Sequence, residues 1–266
     1  LSFSPCCAPH SVDAMALMPL PSSLWVASLL LFDIERACAQ VWGQANPASP
    51  TVPTSLATAP SQVVVADPPA PKVQVEFLTE AGCPFCQRAI SGPLSAMVAA
   101  PGVADIMELH NHPFGNNYFA TQECGGAPYS MDARHCWIRV CAQAAAPPLD
   151  CFAGDLVTQH GDAEGQVNRM EACAITHSPG WREYWPFLVC MEREYAQGIA
   201  AANMCAAEAM LDYSALLNCY IGPEGDHAVV REARATMDHP ATPFVLVNGQ
   251  VVDHVNQTLA SVCTAY

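Results

Sequence analysis

The clearest hydrophobic patterning starts at Val73. Val73 to Leu78 (VQVEFL) alternates apolar and polar side chains and reads as a strand, Gln87 to Ala100 is helix-compatible, and a second strand is expected around residues 104–109 (ADIMEL). Toward the C-terminus, Phe244 to Val247 (FVLV) and Gln250 to Val252 flank Asn248-Gly249. That pair is a hairpin signal, because a type I′ turn needs positive φ at both central residues. Asn256 to Tyr266 reads as a closing helix. Strand, helix, strand, hairpin and helix make an α/β layer arrangement. Between its halves, from about residue 115 to 237, runs a long, cysteine-rich, helical-looking region with neither a second strand set nor an internal repeat. It reads as an insertion within one domain spanning 73–266 rather than a second domain.

Upstream the pattern changes. Gln40 to Lys72 holds seven prolines among Ala, Ser, Thr and Val with almost no charge, and reads as an extended linker or pro-segment. Leu24 to Phe32 (LWVASLLLF) is apolar but too short to span a bilayer, and Ala37-Cys38-Ala39 is an A-x-A site. Residues 1–39 are therefore expected to be a secretory signal, the alternative being a buried or membrane-associated helix.

Charge and cysteine content sharpen this picture. One lysine and nine arginines against 25 acids give a net charge of -15, which disfavours partners with phosphate backbones or anionic lipid. The expectation is no nucleic-acid partner and no stable membrane insertion once the signal is removed. Fourteen cysteines spread along the chain suit an oxidising compartment. Cleavage after Ala39 leaves eleven, and setting aside Cys83 and Cys86 leaves an odd nine.

The chemistry centres on Cys83-Pro84-Phe85-Cys86, between the first strand and the first helix. Two thiols so placed form a dithiol/disulfide couple: Cys83, at a helix N-terminus, attacks as thiolate, and Cys86 resolves the mixed disulfide. A helix N-terminus can bring the nucleophile toward pKa 5, from about 8.5, and so allow it to work in acid. The same spacing is also half of a zinc site, but no second ligand pair is placed beside it, and no metal or other cofactor is expected. Thr242-Pro243 precedes the FVLV strand, where thioredoxin-like folds carry a cis-proline that packs against the cysteine pair and leaves backbone free to pair with substrate. The fold expected is therefore thioredoxin-like, with a helical, disulfide-rich insertion. VEFLTEAGC resembles the strand of thioredoxins and protein disulfide isomerases, which carries an acid that takes the second cysteine's proton; Glu76 is the candidate, with an ordinary solvent-facing glutamate as the alternative.

Thr158 to Cys173 (TQHGDAEGQVNRMEAC) resembles the signature of the gamma-interferon-inducible lysosomal thiol reductase family, C-Q-H-G-x2-E-C-x2-N-x4-C. Gln159, His160, Gly161, Glu164, Asn168 and Cys173 match at the family spacing, whereas Thr158 and Gly165 stand where two signature cysteines would be. WPFLVCMERE (Trp185 to Glu194), Cys205, Cys219 and TPFVLVNG also resemble family segments in order. The resemblance implies a thiol reductase acting on disulfide-bonded protein substrates, resupplied by a small external thiol, in an endosomal, lysosomal or secreted setting. It places the two missing cysteines against the insertion's disulfide pattern rather than its chemistry; Cys136, Cys141 or Cys151 are candidates for replacement bridges. His160 is either a hydrogen-bonded structural residue or a group titrating in acid. Asn256-Gln257-Thr258 is a glycosylation sequon. Competing expectations are a secretory-pathway oxidase or isomerase using the same pair, and a non-catalytic disulfide scaffold.

Overall fold

The computed structural model describes residues 70–266; the expected signal at 1–39 and nearly all of the Pro-rich 40–72 segment lie outside the described residues. Strand β1 (Val73–Thr79) is central. It pairs in parallel with β2 (Met107–Pro113), Val73 opposite Met107, and antiparallel with β5 (Phe244–Val247), Val75 opposite Val247. Strand β6 (Gln250–Val251) completes the sheet in the order β2-β1-β5-β6. The β5–β6 turn is built as its sequence requires, with Asn248 at φ 48° and Gly249 at φ 75°. Asn248 also staples the turn to β1, donating its N–H to the Gln74 carbonyl (2.7 Å) and accepting from the Gln74 N–H (2.8 Å). A parallel β-α-β half joined antiparallel to a β-hairpin with a closing helix, α10 (Thr258–Ala265), is the thioredoxin-like arrangement.

Two local features depart from the sequence expectation. The first helix begins at Pro84, as α1 (Pro84–Ala89), and is interrupted by a wide turn at Ile90–Leu94 before resuming as α2 (Ser95–Ala99). Gly92 (φ -116°, ψ -105°) leaves helical geometry there, directly before Pro93, whose ring disfavours the helical region for the preceding residue. The second strand also starts later than expected: Val103–Ile106 forms a helical turn, α3, and the extended run begins at Met107.

The insertion is mostly helical. It contains α4 (Met131–Trp137), α5 (Asp162–His177), α6 (Trp181–Arg193), α7 (Ala202–Glu208), α8 (Tyr213–Ile221) and α9 (Pro223–Ala235). Contrary to the expectation of no further strands, Tyr118–Phe119 (β3) and Leu156–Val157 (β4) pair as a two-stranded antiparallel ribbon. Sequence patterning cannot register strands this short. The main core joins Val75 and Phe77 of β1 to Trp185, Leu188 and Met191 of α6 and Val167 and Met170 of α5. A second, aromatic core of Phe114, Phe119, Trp137 and Phe152 lies under the ribbon.

Disulfides fasten both cores. Cys173–Cys219 ties α5 to α8, and Cys190–Cys205 ties α6 to α7. Cys124–Cys136 and Cys141–Cys151 close loops around the aromatic core, so all three candidate replacement cysteines are bridged. The ninth cysteine of that set, Cys263, is also disulfide-bonded.

Candidate active site

The β1–α1 turn carries the cysteine pair. Cys83 is the N-cap of α1, in extended geometry, with Pro84 at the first helical position where a missing N–H costs nothing. The turn is closed by the Cys83 N–H to the Glu80 carbonyl (3.1 Å), the Gln87 N–H to the Cys83 carbonyl (3.1 Å) and the Gln87 amide to the Ala81 carbonyl (2.7 Å). Both cysteines are reduced; Cys83 is 5% exposed and Cys86 is fully buried. Pro84 and Phe85 are exposed, and the Arg88 guanidinium lies 4.7 Å from the centre of the Phe85 ring.

The two sulfurs are electrostatically unequal. The Cys83 thiol is lowered to about 5: the Cys86 thiol hydrogen-bonds its thiolate, and the backbone N–H groups of Cys86 and Phe85 and contact with Thr242 add to this, against an opposing effect of burial. The helix N-terminus thus contributes, but the larger cause is the second thiol itself. Cys86 is pushed up, by burial first and then by its interactions with Cys83. The Thr242-Pro243 bond is cis, and the Thr242 carbonyl lies 3.8 Å from Cys83 Sγ. A sulfur whose pKa is lowered, an uncharged second sulfur and a proline-bearing loop are therefore assembled in one place.

Behind this turn stands the segment that resembles the family signature. Asn168, on α5, accepts the Ala81 N–H on its Oδ1 (2.9 Å). Glu164 is fully buried beneath Gly82: a Cβ on Gly82 would lie 2.4 Å from Glu164 Oε2 and 2.6 Å from His160 Cβ. Only glycine fits there. Glu164 accepts the Gln159 N–H (3.0 Å) and pairs with His160 Nδ1 (2.6 Å), while Gly161, at φ +89°, caps α5. Gln159 accepts from the Asn116 amide (2.7 Å), and Cys173 is in the disulfide to α8. Thr158 and Gly165 face each other, since a Cβ on Gly165 would lie 3.0 Å from Thr158 Cγ2.

Glu80 links this network to the proline loop. It accepts the Thr242 hydroxyl (2.7 Å) and both the backbone N–H (2.9 Å) and amide (3.2 Å) of Asn116. Burial, and then the Glu164 charge, push its carboxyl up to about 7. Glu80, His160 and Glu164 present donor atoms within 4.8 Å of one another and are the residues here that could approach a metal, although their close polar atoms already bond each other, Thr242 and Asn116.

Other expected residues are not part of this cluster. Glu76 is half-buried on β1, opposite His110 and Leu246 and on the alternate face from Val75 and Phe77. Asn256 is exposed in the turn before α10, while Thr258 of its sequon is buried and donates its hydroxyl to the Val255 carbonyl (2.7 Å). Sequence reasoning missed Glu80, Gly82 and Asn116, and also two buried acids, Glu171 and Glu192. Gly82 beside the cysteine motif, and a glutamate inside each of MEAC and VCME, were the available signals.

Fold and site together define a thioredoxin-like protein with a paired-cysteine centre at the head of its first helix. Within that class, residues 150–209 match the family model described as gamma interferon inducible lysosomal thiol reductase (GILT). A curated relative, the "Gamma-interferon-responsive lysosomal thiol protein" of Arabidopsis thaliana, is 27% identical over 116 residues, 41% of this chain and 48% of the relative. The chain thus matches about half the length of that relative, and the two similarities support GILT family membership. A solved structure from Pseudomonas syringae described as a protein-disulfide isomerase is 16% identical, with a TM-score of 0.41, covering 72% of this chain and 94% of that one. Among the described residues, no helix is long and apolar enough to cross a membrane.

Two measurements follow from these electrostatics. Alkylation of the reduced protein with iodoacetamide should label Cys83 with a midpoint near pH 5, with Cys86 unlabelled until far higher pH; a Cys83 midpoint near 8.5 would refute the thiolate geometry. The second is stability against pH. Glu80 (about 7), Glu171 (about 8, from burial) and Glu192 (pushed well up) all hold protons in the fold that the unfolded chain releases near 4.5. Their contribution is therefore complete in acid and is lost as pH rises through the folded values. His239, lowered to about 4 by burial, opposes this only below about 6.5, and the Cys83 thiolate opposes it between about 5 and 9. In a Cys83→Ser/Cys86→Ser variant, the melting temperature should fall by about 5 °C between about pH 6.5 and pH 8; a rise would contradict the burial of these acids.

Proposed function

We propose that this chain is a thiol-disulfide oxidoreductase that reduces protein disulfides through Cys83 and Cys86 in an acidic or secretory compartment. The observation that carries this reading is the pairing of a Cys83 sulfur held as thiolate down to about pH 5 with a buried, protonated Cys86 one turn behind it. The GILT family model and the relative's name, a lysosomal thiol protein, point the same way.

The exchange runs in two steps. The Cys83 thiolate attacks one sulfur of the substrate disulfide; that S–S bond breaks, and the departing substrate sulfur leaves as thiolate and takes a proton from water. Cys86 then loses its proton and attacks the Cys83 sulfur, releasing the second substrate thiolate. Two electrons have passed to the substrate, and the Cys83–Cys86 disulfide is returned to the dithiol by a small external thiol. The half-buried Pro243 cannot donate a backbone hydrogen bond, so the loop beside Cys83 is open to a substrate strand. Phe85, 66% exposed, offers an apolar contact at its rim.

The low Cys83 pKa also favours an oxidase reading, because a stabilised thiolate stabilises the reduced pair. Acidity removes that advantage. Relative to an ordinary thiol, a shift from about 9 to about 5 favours the reduced form by about a hundredfold at pH 7 but only about twofold at pH 5. The same site is therefore a better reductant in an acidic compartment, which is the setting we assign. The chain's acidity, its disulfides and the apolar run at 24–32 accord with passage through the secretory pathway, with Asn256 as an acceptor for glycan.

Reduction of a denatured disulfide protein, compared at about pH 4.5 and about pH 7, tests the assignment. Wild type should be active at both, Cys83→Ser should lose at least about a hundredfold, and Cys86→Ser should accumulate substrate as a mixed disulfide. Equal activity of Cys83→Ser and wild type would eliminate the mechanism. Thr158 and Gly165 stand where the family signature has cysteines, and because the two positions face each other we assign them to one lost bridge. A Thr158→Cys/Gly165→Cys variant should then close a disulfide across the 158–165 loop and gain about 2 kcal/mol; two persistently free thiols under oxidising conditions would refute this.

A further inference from the structure

The ladder between β1 and β5 ends short of the cysteines. Its last pair is Leu78 opposite Phe244, and the residue before Phe244 is Pro243, which has no N–H with which to continue. Carrying the same register two residues beyond Leu78 sets Glu80 opposite Thr242. There the two side chains meet: the Thr242 hydroxyl donates to Glu80 Oε1 at 2.7 Å. A side-chain bond thus takes over where the proline stops the backbone ladder.

Glu80 is fully buried and is tied on every side. Its carbonyl accepts the Cys83 N–H (3.1 Å), so it belongs to the turn that carries the cysteine pair. Its carboxyl also accepts the backbone N–H (2.9 Å) and the side-chain amide (3.2 Å) of Asn116, at the start of the insertion. At the other end of the proline loop, the buried Arg134 donates to the His239 carbonyl (3.1 Å). The stretch from His239 to Thr242 is therefore pinned by a side chain at each end, and the Thr242 carbonyl rests 3.8 Å from Cys83 Sγ.

We propose that Glu80 is a positioning residue for polypeptide substrates: through the Thr242 hydroxyl it fixes the proline loop against the cysteine turn, where the backbone of a disulfide-bonded chain lies along the loop beside Cys83. The proposal rests on the oxidoreductase reading above and adds to it the group that sets where the substrate strand is received. Glu80 makes no bond to substrate and acts only through Thr242. A loop that samples other positions binds substrate with an affinity reduced to the fraction of time it is competent. The hydrogen bond keeps that fraction high, because the alternative leaves a buried carboxyl short of a partner. Acid does not break it. A hydroxyl both donates and accepts, so when the Glu80 carboxyl, pushed up to about 7, takes a proton, Glu80 donates and Thr242 accepts. The other ionisable groups facing Glu80 are Glu164 and His160, which bond each other.

Valine and serine separate the hydroxyl of Thr242 from its shape. Thr242→Val keeps the branched side chain without the hydroxyl, and Thr242→Ser keeps the hydroxyl without the methyl. With a denatured disulfide protein as substrate, Thr242→Val should raise KM at least about tenfold and lower kcat by less, and Thr242→Ser should recover most of that loss. The aromatic disulfide dithiobis-nitrobenzoate has no peptide backbone to place, so its first coloured thiolate, released by attack of Cys83, should slow far less than the protein reaction. In a Glu80→Ala background the partner is already gone, and Thr242→Val should then change KM by less than about twofold. KM values for Thr242→Val and Thr242→Ser within about twofold of each other overturn the proposal, as does an undiminished cost of Thr242→Val in Glu80→Ala. An equal loss on both substrates also overturns it, since that places the damage at Cys83 itself. The comparison of valine with serine stands even where Glu80→Ala does not fold. Absence of the coloured thiolate with wild type would instead overturn the oxidoreductase reading on which the proposal rests.

Discussion

The site depends on one close approach, that of the β1–α1 turn onto the head of α5. Hydrogen bonds from the Ala81 N–H to the Asn168 side chain and from Asn116 to the Glu80 carboxyl, together with the seating of Gly82 on Glu164, fix the turn against the insertion. Because Gly82 has no Cβ, the backbone can come within reach of a buried carboxyl, and the helix that begins two residues later is aimed by that contact. The disulfide from Cys173 to Cys219 then holds α5 against α8, so the support is itself supported. The insertion is therefore the base on which Cys83 is mounted, and losing its position would move the nucleophile.

The same arrangement concentrates acids. Glu80, Glu164, Glu171 and Glu192 are all buried, Glu192 in the field of the other three, and burial raises the proton affinity of each. In most folds such a cluster would be a defect at neutral pH. Here it divides by function. Glu80 and Glu164 are hydrogen-bonded and shape the Cys83 turn and the proline loop, while Glu171 and Glu192 accept no hydrogen bond. A protein that keeps four carboxyls in its interior loses less by doing so in acid, where they are protonated without cost.

Much of this was legible in the sequence. Asn248-Gly249 demanded a hairpin, alternation set β1, and the cysteine motif was placed between strand and helix, all because local chemistry at those residues leaves few alternatives. The six residues that resemble the family signature were visible as a pattern, but their purpose was not. Nothing in Gln159 to Cys173 says that Asn168 reaches the N–H of Ala81, 87 residues earlier, because that contact exists only after α5 docks. Glu171 and Glu192 were hidden for a related reason: on a helix, a glutamate reads as a solvated face, and only burial on all sides turns it into a held proton. The break at Gly92-Pro93 and the late start of β2 were missed because each is a one-turn choice that tertiary packing makes.

The unequal sulfurs connect these observations. Cys86 lowers Cys83 by donating to its thiolate, so in the proposed exchange the proton that must leave before resolution is the one that first favours the Cys83 thiolate. A pair arranged in this way needs somewhere for that proton to go once Cys83 is bonded to substrate, and the sheet strand offers only Glu76, half-buried on the alternate face. The helical insertion thus aims the cysteine turn, and the thioredoxin-like sheet contributes the frame.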